Sequence, residues 1–169
     1  MVRWCSILLL ATLASSGCRT QTAASGSQSL TAARAAAVED GVRSLTRTVA
    51  HDVTQEGPLA WRKYFEEDPS FFMAVNGQMA FPNNAAANEG TQNFALTIKH
   101  IELAWGDDLR VDALTPEFAV VAAPWREIQE DVKGHRTEET GFFTALAEYR
   151  DGRWQFRDAH WSSLVPPVH

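Results

Sequence analysis

The sequence predicts an α+β domain, and three observations carry that expectation. Apolar residues recur at three- and four-residue steps from residue 30 into the fifties. From about residue 101 onward the period falls to two. Asn76-Gly77 and Asp151-Gly152, dipeptides that favour tight hairpin turns, each stand between apolar runs. Helices first and long antiparallel strands afterwards put the helices on one face of a curved sheet. A length of 169 residues allows one domain with a sizeable core plus a leader.

The leader comes first in the chain. Arg3 supplies a positive charge, residues 7–13 an apolar run, and small residues follow, the pattern of a secretory signal. The run is far shorter than the roughly 20 apolar residues of a membrane-spanning helix. Leu13-Ala14-Ser15-Ser16-Gly17-Cys18 resembles a bacterial lipobox, although Ser15 stands where Leu is usual. That resemblance implies a signal peptide over 1–17 and lipid on Cys18. It places the protein in the bacterial cell envelope, anchored on the periplasmic side with the outer membrane favoured by Arg19. Plain secretion is the alternative. Residues 18–29 are small and polar and read as a tether, and 30–169 form the domain. Cys5 and Cys18 fall outside that domain, so neither a disulfide nor a thiolate metal site is expected there.

Within the domain, Val38, Val42, Leu45, Val49 and Val53 form one helical stripe, which Gly57 closes. Pro58 opens a second helix with Trp61, Tyr64 and Phe65 as its aromatic face, stopped by Asp68-Pro69. Residues 71–81 read as a hairpin about Asn76-Gly77. Residues 85–99 read as a third helix, with Phe94 and Ile98 inward and Gly90 as a weak point. Strand-like sequence follows over 101–114, around a Gly106-Asp107-Asp108 turn. Further strands are expected over 118–132, interrupted by Pro124, and over 141–149 and 154–162, joined through Asp151-Gly152.

This order of elements, together with the ending from Asp151-Gly152-Arg153-Trp154 to His160-Trp161-Ser162, resembles the nuclear transport factor 2-like superfamily, in its SnoaL-like and ketosteroid-isomerase-like branch. The resemblance implies a cone-shaped, curved antiparallel sheet with three N-terminal helices on its concave face. It also implies an apolar cavity and, in many relatives, a homodimer. It implies no single reaction, because the fold hosts enzymes, binding modules and assembly domains. In the isomerases a Tyr and two acids do the work. Tyr64 has a plausible place here, but Asn76 stands in the hairpin where the base is expected, so that chemistry is not carried over.

Strict alternation along the last strand puts Trp154, Phe156, Asp158, His160 and Ser162 on one face, and the two aromatics mark that face as the inner one. Asp158 and His160 would then form an acid–base pair inside the cavity, with Glu148 near enough to join. The plainer reading has them hydrogen-bonding each other. Trp61, Tyr64, Phe72, Phe81 and Trp105, with Trp154 and Phe156, are the expected pocket walls, each with core packing as its alternative. Trp161 is expected to point outward, into a dimer contact with Trp125 nearby.

The five histidines lack metal-ligand spacing, so no metal is expected, and no cofactor fingerprint is present. With Lys+Arg 15 against Asp+Glu 21 and a net charge of −6, nucleic acid is not an expected partner. The leading functional expectation is a lipid-anchored module holding a small apolar molecule. An acid–base enzyme built on Asp158 and His160, or an assembly domain acting through the outer sheet face, are the alternatives.

Overall fold

The computed structural model describes residues 30–68 and 71–164. The signal peptide, Cys18 and the tether lie outside the described residues.

Helix α1 (Ala32–Glu56) starts where the Thr31 side chain accepts the Arg34 N–H at 3.3 Å. The predicted stripe is the face it buries: Val38, Val42, Leu45, Val49 and Val53, with Thr46 between them. Each of these apolar side chains contributes about 1.5–3 kcal/mol by leaving water. Gly57 ends the helix with φ 84°, a conformation cheap only for glycine, while its N–H donates to the Val53 carbonyl at 2.9 Å.

The second helix is a 3-10 helix, Pro58–Lys63, rather than an α-helix. Six residues pinned between Gly57 and an extended segment are too few for α-helical turns to propagate. Helix α2 (Asn84–Ala95), capped by Asn83, is shorter than expected, because Ile98 opens a strand instead of ending a helix.

Seven strands form one curved, unclosed sheet: β1 (Phe72–Val75), β2 (Gln78–Phe81), β3 (Ile98–Trp105), β4 (Arg110–Ala113), β5 (Phe118–Asp131), β6 (Arg136–Arg150) and β7 (Arg153–Ser163). Their order is β2-β1-β7-β6-β5-β3, with β4 also paired to β5. Both predicted tight turns form, and their residues take positive φ: Asn76 50° and Gly77 79°, Asp151 52° and Gly152 82°.

The sheet is mixed, which corrects the antiparallel expectation. β1 runs parallel to β7, Phe72 opposite Asp158 and Val75 opposite Trp161. The cause lies just upstream. The segment after the 3-10 helix is already docked along β7, with the Glu66 N–H donating to the Phe156 carbonyl at 2.9 Å and the Phe156 N–H to the Tyr64 carbonyl at 2.7 Å. The chain continues into β1 in that same direction.

β3 and β4 do not pair with each other; they lie end to end along β5. Pro124 therefore does not break β5. Its carbonyl accepts from the Gly106 N–H at 2.8 Å, at the junction of the two shorter strands. The N and O of one strand residue face the same neighbour, so the missing N–H falls at that gap and no ladder bond is lost.

One irregularity matters more than the rest. Between β6 and β7 the register shifts, with Leu146 opposite Asp158 but Ala147 opposite Phe156. Arg157 is thus an extra residue, a β-bulge, and beyond it the alternation reverses. Phe156 is fully buried, and past the bulge the inward positions become Ala159, Trp161 and Ser163.

Candidate functional site

The bulge decides what reaches the interior. Asp158 and His160, expected inside, lie on the outer face beside Phe72, Ala74, Val120, Thr144 and Leu146. No hydrogen bond joins the two. Burial pushes the Asp158 carboxyl above its ordinary value, against the opposing effects of the Leu146 backbone and Arg157, and His160 is exposed. The premise of an acid–base pair within the cavity is therefore corrected: the one extra residue at the bulge turned both side chains away.

Trp161 takes the opposite correction and points inward. Its indole stacks on Trp125 at 4.3 Å and meets Trp61 edge-on at 5.7 Å, Phe143 at 5.6 Å and Trp105 at 6.1 Å. Gly141, opposite Trp125 on β6, makes this cluster possible, since a Cβ there would strike the Trp125 ring and the Ser162 carbonyl. The outward Trp161 on which a dimer contact was expected does not exist.

Beside this cluster lies a cavity of about 330 Å³. Trp61 and Phe65 come from the 3-10 helix and the residues after it. Met73, Val75 and Phe81 come from the β1–β2 hairpin, Gly90, Thr91 and Phe94 from α2, and Trp161 from β7. Gly90 is a fitting point rather than a weak one, because a Cβ there would collide with the Phe81 ring.

The remaining lining is polar: Asn76, Glu127, Gln129, Glu139 and Ser163. Glu127 and Glu139 are directly opposite each other on β5 and β6. Gln129 Nε2 donates to Glu127 Oε1, and Ser163 Oγ to Glu139 Oε2 at 3.2 Å. Asn76 Oδ1 accepts the Ser163 N–H at 2.7 Å, tying the hairpin turn to the end of β7. Glu127 is only 7% exposed. Burial, reinforced by the Glu139 charge and opposed by Gln129, pushes its carboxyl up to about 7. Near neutral pH that group is poised to gain or lose a proton.

Of the seven predicted walls, Trp61 and Phe81 line the cavity. Tyr64 is buried beside it but its Oη donates to Asp52 Oδ2 at 2.5 Å, bracing α1. Burial raises the Tyr64 hydroxyl, and that same bond holds the Asp52 carboxyl low. Phe72 is on the outer face, 40% exposed. Trp105 donates Nε1 to the Thr46 carbonyl at 2.7 Å and packs on Phe143. Trp154 packs against Tyr149 and the α1 backbone at Gly41, and Phe156 is core.

Glu148 belongs elsewhere too. It is buried with Glu66 between two arginines, Arg150 Nη2 at 2.8 Å from Glu148 Oε1 and Arg150 Nη1 at 2.5 Å from Glu66 Oε1. Burial and then the Glu148 charge raise the Glu66 carboxyl.

Glu127 is the residue that sequence reasoning missed. It shares parity with Ala119, Val121, Ala123 and Trp125 in one alternating run, and that signal was present. Among the described residues no group of three or more His, Cys, Asp or Glu is placed to hold a metal ion.

No protein-family model matches the chain, and no curated protein matches it significantly. Solved structures do. A proposed scytalone dehydratase from Novosphingobium aromaticivorans is 12% identical with a TM-score of 0.64, covering 75% of this chain and 83% of its own. A nuclear transport factor 2-like superfamily protein from Salmonella enterica serovar Typhimurium is also 12% identical, with a TM-score of 0.63 over 82% and 96%. A hexachlorocyclohexane dehydrochlorinase, LinA Type2, is 13% identical with a TM-score of 0.60 over 79% and 93%. At these identities the likeness shows the fold, which is nuclear transport factor 2-like.

Proposed function

We propose that this chain is a lipid-anchored envelope protein whose domain binds a small molecule with a largely apolar body. One observation carries the reading: the cavity of about 330 Å³ walled by Trp61, Phe65, Phe81, Phe94 and Trp161. Ligand sites of this kind are concave, mostly apolar and furnished with a few convergent polar groups. The polar end formed by Glu127, Gln129 and Glu139 orients what the rings hold.

The test uses the domain from residue 29 onward and the neutral fluorophore N-phenyl-1-naphthylamine. Binding is expected as quenching of tryptophan emission with sensitised probe emission, and Val75→Phe, which fills the cavity, abolishes it. A probe that does not bind, or binds equally to that variant, removes the cavity reading. Native mass spectrometry of the gently purified domain reports any co-purified molecule and whether two copies associate through the outer face, where Phe72, Val120 and Phe142 are exposed. Lipid on Cys18 is read from the mass of the N-terminal peptide of the membrane fraction.

A second reading is favoured by the Glu127 carboxyl near 7: an acid–base enzyme in which Glu127, rather than Asp158 or His160, moves the proton. The dehydratase and dehydrochlorinase among the structural neighbours perform eliminations by name, and proton abstraction within an apolar pocket is chemistry Glu127 is placed to do.

A further inference from the structure

Apolar packing does not explain the sign of the charge at the cavity's polar end. Glu127 and Glu139 face each other across β5 and β6, and both line the cavity. The side chains that donate to them, Gln129 and Ser163, are neutral, and no Lys, Arg or His is among the lining residues. Nearby cations are engaged elsewhere. Arg126 makes a two-pronged pair with Glu138, Nε to Oε1 at 2.7 Å and Nη2 to Oε2 at 2.9 Å, and Lys99 holds Glu130 at 2.6 Å. Buried carboxylates are ordinarily met by a positive charge, and among the described residues none meets Glu127.

The opposite side of the cavity points the same way. Trp61, Phe65, Phe81, Phe94 and Trp161 offer π-systems, whose faces attract cations, tryptophan most strongly. A carboxylate pair, Glu127 buried and Glu139 at the exposed rim, beside several aromatic rings repels anions and gives a neutral molecule nothing extra.

We infer that the ligand is an organic ammonium ion, its charged nitrogen between Glu127 and Glu139 and its apolar body against the aromatic walls. The inference rests on the cavity being a ligand site and adds the charge of what fills it.

Three probes with one body separate the two claims: 3-phenylpropylammonium, 3-phenylpropan-1-ol and 3-phenylpropanoate, titrated by calorimetry at physiological salt and pH 7.5. The ammonium is expected to bind at least about ten-fold tighter than the alcohol, with the carboxylate weakest. That ratio falls toward one in Glu127→Gln and in Glu139→Gln. The latter replaces an exposed rim residue, so its fold does not depend on the charge.

Equal affinity for ammonium and alcohol, or tighter binding of the carboxylate, overturns the inference and leaves the cavity reading standing. A preference for ammonium that survives both substitutions overturns the assignment to this carboxylate pair. Binding of none of the three overturns the inference and the cavity reading together.

Discussion

Replacing Glu127 with Gln should make the protein markedly more stable at pH 8 while changing little at pH 4.5. In the unfolded chain this carboxyl titrates at 4.5; in the folded protein burial holds it at about 7. Below pH 4.5 it is protonated in both states and contributes no difference. As pH rises from 4.5 toward 7 the unfolded chain releases the proton while the folded one keeps it, so stability is lost continuously. Above 7 the loss is complete and constant. A window of about 2.5 units at 1.36 kcal/mol each amounts to about 3.4 kcal/mol. Gln preserves the volume and can still accept from Gln129, but it has no proton to lose.

The assay is thermal unfolding by circular dichroism at half-unit steps between pH 4.5 and 8.5, on wild type and Glu127→Gln. Differencing the two curves cancels the contributions of Glu66 and Asp158, whose carboxyls are also raised. The Tm gap should widen by about 10 °C between the two ends. Parallel curves would refute the placement of Glu127 as a desolvated acid.

Three further outcomes follow from the same geometry. Deleting Arg157 removes the extra residue, and strict alternation from Phe156 then keeps Asp158 and His160 outward and Ala159 and Trp161 inward; the near-UV circular dichroism of the stacked indoles should persist, and its collapse would remove the bulge argument. Asp158→Ala and His160→Ala act on the outer face and should leave N-phenyl-1-naphthylamine affinity within two-fold, read by the same fluorescence titration; a ten-fold loss would return them to the site. Gly90→Ala gains about 1 kcal/mol of helix propensity but drives a methyl into Phe81, so urea unfolding should show a net loss of up to about 2 kcal/mol; a stabilised variant would mean that Phe81 yields freely.

What the sequence revealed was what neighbouring residues decide among themselves. The α1 stripe was legible because Val38 to Val53 repeat with the helical period, and both hairpin turns because Asn76-Gly77 and Asp151-Gly152 accept positive φ. The bulge was not legible. Arg157 is an ordinary strand residue, and only the pairing of Asp158 with Leu146 and of Phe156 with Ala147 makes it the extra one in the ladder. The face of every residue after it, and hence the proposed Asp158–His160 pair, depended on that long-range event. Pro124 misled in the same way, since its cost depends on which neighbour its nitrogen faces. Glu127 was within reach of the alternating pattern of β5, but a charged residue in a strand invites an outward assignment.

The open sheet leaves β3 with an unpaired margin eight residues long, a template on which another chain could add a strand. Its outward side chains include Lys99, His100 and Glu102, with Lys99 paired to Glu130 and His100 within 3.1 Å of Glu102. The Leu103 N–H, which a foreign strand would need, donates instead to Thr54 Oγ1 on α1 at 3.1 Å. The long helix thus serves a second purpose besides burying its stripe: it occupies part of the margin by which copies of this protein would otherwise polymerise.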